Sequence, residues 1–168
     1  MFQIFDQTIS TPMSWTSETV LDQGGLVHLD DECLQELERV ANELRANPLP
    51  DIALSFKFFD MPACNALMAK IRKQIDSGIG LAIIDRLPIQ NYDETIAKKL
   101  YWLLMSMVGQ PVAQKWDGTM IYSVTDTGKE YGYGVRGSET NVELVFHTDN
   151  AFGISVPDYV GLMCKYPA

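Results

Sequence analysis

The chain has 168 residues, of which 46% are hydrophobic and 21% are charged, a composition typical of one globular domain. Its formal net charge of -9 argues against non-specific attraction to nucleic acid or to an anionic membrane surface. We therefore expect neither nucleic acid nor membrane among its partners.

The cysteines and the N-terminus bear on the cellular compartment. Cys33, Cys64 and Cys164 are odd in number, widely spaced and without a CxxC pair, which predicts reduced thiols. Cys164 stands in an apolar segment and is predicted to be buried and inert. The start of the chain, Met1 to Asp6, lacks the basic and apolar regions of a signal peptide, and Leu100 to Val108 is shorter than the ~20 apolar residues of a membrane span. These features predict a cytoplasmic protein.

In chain order, the first two thirds are predicted to be mainly helical. Capping residues and apolar side chains at helical spacing predict three helices, with one short strand before the first helix and another before the third. The predicted helices are Asp30 or Asp31 to about Arg45, Ala63 to Asp76, and Asp93 to Val108, and the predicted strands are Leu26–Leu29 and Gly80–Asp85.

After Gly109 the pattern changes to short apolar segments separated by turn residues, which is typical of strands. The predicted strands are Val112–Gln114, Met120–Val124, Val142–Asp149 and Tyr159–Lys165. We therefore expect one domain over 1–168, mainly helical with short strands over 1–108 and strand-rich over 109–168. Short, separated strands need partners, so this sheet is predicted to be incomplete.

The predicted strand Val142–Asp149 carries the most informative pair of residues. Successive side chains of a strand alternate faces, so His147 and Asp149 point the same way and are placed to bind one metal ion. A His-x-Asp pair supplies two ligands of the facial triad of non-haem Fe(II) oxygenases. The alternative is that both are surface residues on an edge strand.

The same alternation places Glu143 on the face of His147, roughly 13 Å away along an extended strand at ~3.3 Å per residue. A carboxylate at that position is predicted to contact a basic or amino group of a substrate. The alternatives are a structural ion pair with Arg136 and exposure to solvent.

Two other features have structural interpretations. Gly132 to Gly137 matches G-x-G-x-x-G, but no strand directly precedes it and no helix follows, so a flexible loop is predicted. His28 stands beside a helix cap and is predicted to be a structural or surface histidine.

Several segments together resemble the taurine dioxygenase-like (TauD/TfdA-type) Fe(II)/2-oxoglutarate-dependent oxygenases. They are "GLAIIDRLP" from Gly80, Gly109-Gln110-Pro111 with Gln114, Val135-Arg136, "NVELVFHTDNAF" from Asn141 and "PDYVGLMCKYPA" from Pro157. The similarity runs from about residue 78 to the last residue, and its specific part begins at Arg136.

The resemblance implies an α+β fold, in which N-terminal helices precede the first strands of a double-stranded β-helix, a jelly-roll or cupin-like barrel that is incomplete at the C-terminus. It implies Fe(II) as cofactor, 2-oxoglutarate as cosubstrate and a small-molecule substrate that is oxidised, typically hydroxylated, while 2-oxoglutarate becomes succinate. His147 and Asp149 are then the first two iron ligands.

The family's second histidine and its 2-oxoglutarate-binding arginine, which come later in the chain, have no counterpart here, nor has a Gly-Gly turn expected after Ala168. The chain therefore looks like the N-terminal portion of such an enzyme and is predicted to be inactive alone. The alternative is a non-catalytic remnant or interaction module that retains the scaffold.

Overall fold

The computed structural model describes residues 6–151 and 153–166. The chain divides into two compact units: one extends to Gln110 and includes the residues from Met163 onward, and the other is Pro111–Leu162. The signal-peptide prediction, which rests mostly on Met1 to Phe5, lies outside the described residues. So does Phe152, the last residue of one segment that resembles the oxygenases.

Three helices form the first unit, and all three confirm the predictions within two residues. Helix α1 is Asp31–Ala46, α2 is Pro62–Ser77 and α3 is Glu94–Val108. Asp30 caps α1 by accepting a hydrogen bond from the backbone N–H of Cys33, and Asp93 caps α3 by accepting one from Ile96. These are ordinary N-caps, in which a short carboxylate satisfies a free N–H of the first turn.

Two short strands confirm the predicted positions but are shorter than expected. Strand β1 is Leu26–Val27 and strand β2 is Ile83–Ile84, and they pair in parallel, with Leu26 opposite Ile83. At their carboxyl ends His28 lies 3.3 Å from Asp85, measured from Nδ1 to Oδ2, and the histidine side chain is 70% exposed. The prediction that His28 is a structural or surface residue is therefore confirmed.

The core of the first unit lies where the three helices pack against one another. Its largest fully buried side chains come from all three helices: Leu37, Val40 and Leu44 of α1, Met68 of α2, and Leu100, Leu103 and Val108 of α3. Among the residues described, no helix combines the length and apolar character that crossing a membrane requires.

The N-terminus of α2 is capped by a residue of another helix. Its own N-cap residue, Met61, makes no side-chain hydrogen bond, and Pro62 has no N–H to donate. The next two backbone N–H groups, of Ala63 and Cys64, donate to the two carboxylate oxygens of Glu36 on α1, each at 2.8 Å. One carboxylate thus joins α1 to the positive end of the α2 dipole.

We expect Glu36→Ala to lower the free energy of unfolding by about 2 kcal/mol, because it leaves two partly buried N–H groups without a charged acceptor. Chemical denaturation followed by circular dichroism measures this loss. Glu43→Ala is the matched control, since Glu43 forms only an exposed pair with Arg39 on the same helix. That control should change stability by less than about 0.5 kcal/mol, and equal losses in both variants would contradict the capping role.

The C-terminal residues of the first unit are joined to α3 through Glu94. Its carboxylate accepts hydrogen bonds from Lys165 Nζ at 2.5 Å and Lys98 Nζ at 2.7 Å. The hydrogen bond from Lys165, followed by that from Lys98, lowers the pKa of Glu94 from 4.5 to about 2.

A depressed carboxyl pKa stabilises the folded state above the unfolded pKa, and that contribution is lost as the pH falls through the folded one. Glu94→Gln should therefore be less stable than the native chain at pH 7, and the difference should shrink between pH 4.5 and about 2. Thermal unfolding across this range, at low salt because the pair is exposed, tests the prediction. A difference that does not change with pH would contradict it.

The second unit consists mainly of irregular segments, bends and turns. The regular structure among its described residues is one short 3₁₀ turn, Gly137–Glu139. The carbonyls of Ser138 and Glu139 accept hydrogen bonds from the N–H groups of Thr125 and Thr127. None of the described residues after Ile84 is paired in a strand. A strand requires a neighbour to pair with, so the segments predicted as strands lack the partners that would make them one, and the barrel remains a prediction.

The prediction of three reduced thiols is wrong for two of the cysteines. Cys33 in the first turn of α1 and Cys64 in the first turn of α2 form a disulfide, with Cα atoms 4.8 Å apart. Their separation of 31 residues in sequence is no obstacle, because α1 and α2 pack side by side. Cys164 was predicted to be buried and is exposed, since its segment is not covered by a sheet.

Candidate metal centre

His147 and Asp149 lie together in the second unit, in a segment that is not paired as a strand. The distance from His147 Nε2 to Asp149 Oδ1 is 3.2 Å, and about half of each side chain is exposed. A turn follows directly: Asn150 adopts a left-handed conformation with φ of 53°, and its carbonyl accepts a hydrogen bond from Gly153. Asparagine tolerates this conformation better than most residues, so the sequence favours a turn immediately after the pair.

The other ring nitrogen of His147 determines how the imidazole is oriented. Nδ1 lies 2.9 Å from the backbone carbonyl oxygen of Val145. A carbonyl oxygen only accepts hydrogen bonds, so Nδ1 carries the proton and donates it. Metal-binding histidines are commonly oriented in this way, with one ring nitrogen donating to a carbonyl and the other left for the ion.

This tautomer has a consequence for the pair. With the proton on Nδ1, the neutral imidazole presents a lone pair at Nε2, and the carboxylate of Asp149 also presents only lone pairs. Two acceptors 3.2 Å apart repel each other unless a cation lies between them. The arrangement is therefore suited to a shared cation, either a proton on Nε2 or a metal ion bound by both atoms.

Protonation of the pair is itself favoured by its surroundings. The hydrogen bond to the Val145 carbonyl, and after it the bond to the Asp149 carboxylate, raise the pKa of His147 above the ordinary value for histidine. A metal ion must displace this proton, because a ligating imidazole is neutral.

The donors also fit the size of a metal ion. An octahedral ion with bonds of about 2.1 Å places neighbouring ligand atoms about 3.0 Å apart, close to the observed distance. Imidazole nitrogen and carboxylate oxygen are the donors of the Fe(II) facial triad. Within 6–151 and 153–166, no third histidine, cysteine or carboxylate joins them, so this part of the chain offers two candidate donors.

Glu143 is exposed, and none of the ion pairs between described residues joins it to Arg136. The positive charge of Arg136 helps to lower the pKa of Glu139, after the larger influences of Lys129 and Lys115. The structural bridge is thus not formed, and the substrate contact remains a prediction. The Gly132–Gly137 loop leads into the 3₁₀ turn Gly137–Glu139.

Sequence reasoning missed two features of the chain. One is the Val145 carbonyl that orients His147, a backbone contact that no residue type signals. The other is the pairing of Cys33 with Cys64, for which a signal was present: both cysteines fall in the first turn of a predicted helix.

Comparison with known proteins gives one informative similarity. The chain is 24% identical over 167 residues to FR-33289 synthase of Streptomyces rubellomurinus (strain ATCC 31215). The aligned region covers 98% of this chain and 48% of the relative, so the chain spans about half of that protein's length. No family model matches the chain. Similarity at this level, to a protein named as a synthase, leaves both the family and the reaction of this chain to be proposed.

Proposed function

We propose that this chain is the N-terminal portion of an Fe(II)/2-oxoglutarate-dependent oxygenase that oxidises a small-molecule substrate. The observation that carries the proposal is the pair of His147 Nε2 and Asp149 Oδ1, 3.2 Å apart, with the histidine oriented by the Val145 carbonyl. The similarity to FR-33289 synthase along almost the whole chain supports an enzyme.

The two residues have separate roles in this proposal. His147 binds through Nε2 and is kept in the correct tautomer by donating Nδ1–H to Val145. Asp149 provides a negative charge that partly neutralises a divalent ion. Two protein ligands alone bind an ion weakly, so the third is expected from polypeptide that the described residues do not include. Bound iron would supply the O₂-dependent oxidation of the substrate, with 2-oxoglutarate leaving as succinate and carbon dioxide.

The assay that tests the proposal uses the natural polypeptide containing these residues, supplied anaerobically with Fe(II) and 2-oxoglutarate and then exposed to O₂. We expect succinate formation that requires Fe(II) and stops when a chelator removes it. Separately, anaerobic titration with Co(II), followed by its absorption spectrum, reports metal binding without turnover. If neither succinate nor a Co(II) spectrum appears, the chain is a scaffold without the chemistry.

Glu143 is proposed to contact a basic or amino group of the substrate, as its exposed position and negative charge permit. Glu143→Gln keeps the shape and removes the charge, so the KM for the substrate should rise while the KM for 2-oxoglutarate stays the same. If both constants and the Tm equal those of the native enzyme, Glu143 is only a solvated residue. Glu130→Gln, an exposed carboxylate elsewhere in the second unit, is the control.

A further inference from the structure

The two cysteines that join α1 to α2 occupy matched positions. Each is the third residue of its helix, after the N-cap residues Asp30 and Met61. Their Cα atoms are 4.8 Å apart, within the usual range for a disulfide, and both side chains are completely buried. The sulfur atoms are therefore aligned by helix packing and not by a flexible loop.

Both backbones are held in place independently of the sulfur atoms. The N–H of Cys33 donates to the carboxylate of Asp30, and the N–H of Cys64 donates to the carboxylate of Glu36, each at 2.8 Å. The Asp30 cap thus fixes the first turn of α1, and the Glu36 cap holds the start of α2 against α1. Breaking the sulfur–sulfur bond leaves these contacts intact.

The surroundings suit the thiol form as well as the disulfide. The Sγ of Cys64 lies 3.4 Å from the carbonyl oxygen of Cys33, which can accept a hydrogen bond from a thiol. Free cysteine also packs well as a small apolar side chain, and the neighbouring Leu37 and Met68 are apolar and buried. The same buried position therefore suits both redox states of the pair.

We propose that Cys33 and Cys64 form a reversible dithiol–disulfide pair, whose closure by a low-molecular-weight disulfide covalently fastens α1 to α2. One cysteine thiolate attacks a sulfur of the small disulfide and releases one thiol. The other cysteine, after losing its proton, attacks the protein sulfur of that mixed disulfide and releases the second thiol. The protein loses two electrons and two protons, and the reagent becomes two thiols.

Burial determines how the exchange proceeds. Neither sulfur is accessible in the packed unit, so a reagent reaches them only when the adjoining ends of α1 and α2 separate. Exchange should be slow compared with the reaction of Cys164, which is exposed. Once closed, the bond restricts the unfolded chain across the 31-residue separation and should raise the Tm by ~10 °C.

The experiment uses the full chain with Cys164→Ser, so that only the two paired cysteines react. The protein is equilibrated in oxidised or reduced glutathione, denatured in acid, alkylated and weighed by mass spectrometry. We expect no alkylation after oxidation, two alkylated cysteines after reduction, and a higher Tm for the oxidised form. Transfer between the two buffers should reverse both readouts.

Cys64→Ala in the same background removes the partner and should abolish the redox dependence of the Tm. Should that variant fail to fold, redox cycling of the protein that retains both cysteines still decides the matter. Two free thiols after oxidation, a stable glutathione adduct on either cysteine, or equal Tm values in the two buffers would overturn the proposal.

Discussion

His147→Ala should abolish Fe(II)-dependent succinate formation in the natural polypeptide and weaken metal binding by at least a factor of ten. The substitution removes Nε2, one of the two donors, and leaves the carboxylate of Asp149 alone. Loss of even an orienting partner of a metal ligand typically costs 10–100-fold in affinity, so loss of a ligand itself should cost more. Anaerobic Co(II) titration and succinate measurement give the two readouts.

The chain contains a matched control for this experiment. His28 is the only other histidine, and it also lies beside a carboxylate, 3.3 Å from Asp85. His28→Ala thus removes a histidine–carboxylate pair from the first unit, and it should leave metal binding and succinate formation unchanged. If both variants retain turnover, the metal assignment is wrong. If both lose it, the effect comes from folding and not from ligation.

The helices were predictable because their signals are local. Asp30 and Asp93 are short carboxylates that cap the next turn, and both helices that follow have apolar residues at 3.6-residue spacing. The capping of α2 was not predictable, because its acceptor is Glu36, which is distant in sequence and becomes a neighbour only when α1 packs beside α2. Local chemistry thus determined where the helices lie, and tertiary packing determined how they are joined.

The cysteine prediction failed for a related reason. The odd number of cysteines and their wide spacing in sequence suggest that none of them pair. Whether two cysteines pair depends instead on the distance between them in the fold, here between the first turns of two packed helices. Residue periodicity places Cys33 and Cys64 on the buried faces of α1 and α2, together with Leu37 and Met68. That observation, made in the sequence, would have favoured contact between them.

The residues of the candidate metal centre could be named from the sequence, but the backbone contact that orients the histidine could not. His147 and Asp149 come together even though the segment is not paired as a strand and contains a bend at Phe146 and a turn that begins at Asp149. The orientation of the imidazole depends on the Val145 carbonyl, which the sequence does not reveal.

The segment that carries His147 and Asp149 should exchange its amide hydrogens freely in the 168-residue chain. Amide hydrogen exchange of the 168-residue chain should show protection factors on the order of 10³ or more in α3 and almost none from Glu143 to Asp149. The N–H groups of α3 are hydrogen-bonded within a helix that buries Leu100 and Leu103. No backbone hydrogen bond between described residues is donated by the N–H groups from Glu143 to Asp149. Strong protection of these amides in a monomer would contradict an incomplete barrel.

Two leucines provide a matched pair of substitutions for the same question. Leu103 is completely buried in α3, whereas Leu144 is 73% exposed in the second unit, next to Phe146, which is fully exposed. Leu103→Ala should therefore lower the free energy of unfolding by 2–5 kcal/mol, and Leu144→Ala in the 168-residue chain should change it by less than about 0.5 kcal/mol.

In a longer polypeptide that supplies pairing strands, the difference in stability loss between Leu103→Ala and Leu144→Ala should become smaller. If the second unit is the start of a barrel, Leu144 and Phe146 become buried between the sheets or beneath the helices, and Leu144→Ala should then cost about as much as a core substitution. Protection of the amides from Glu143 to Asp149 should appear together with that cost. A Leu144→Ala variant that remains neutral in the longer polypeptide, with these amides still exchanging freely, would show that the segment is a solvated surface. His147 and Asp149 would then lie on an edge without the barrel that a 2-oxoglutarate-dependent oxygenase requires.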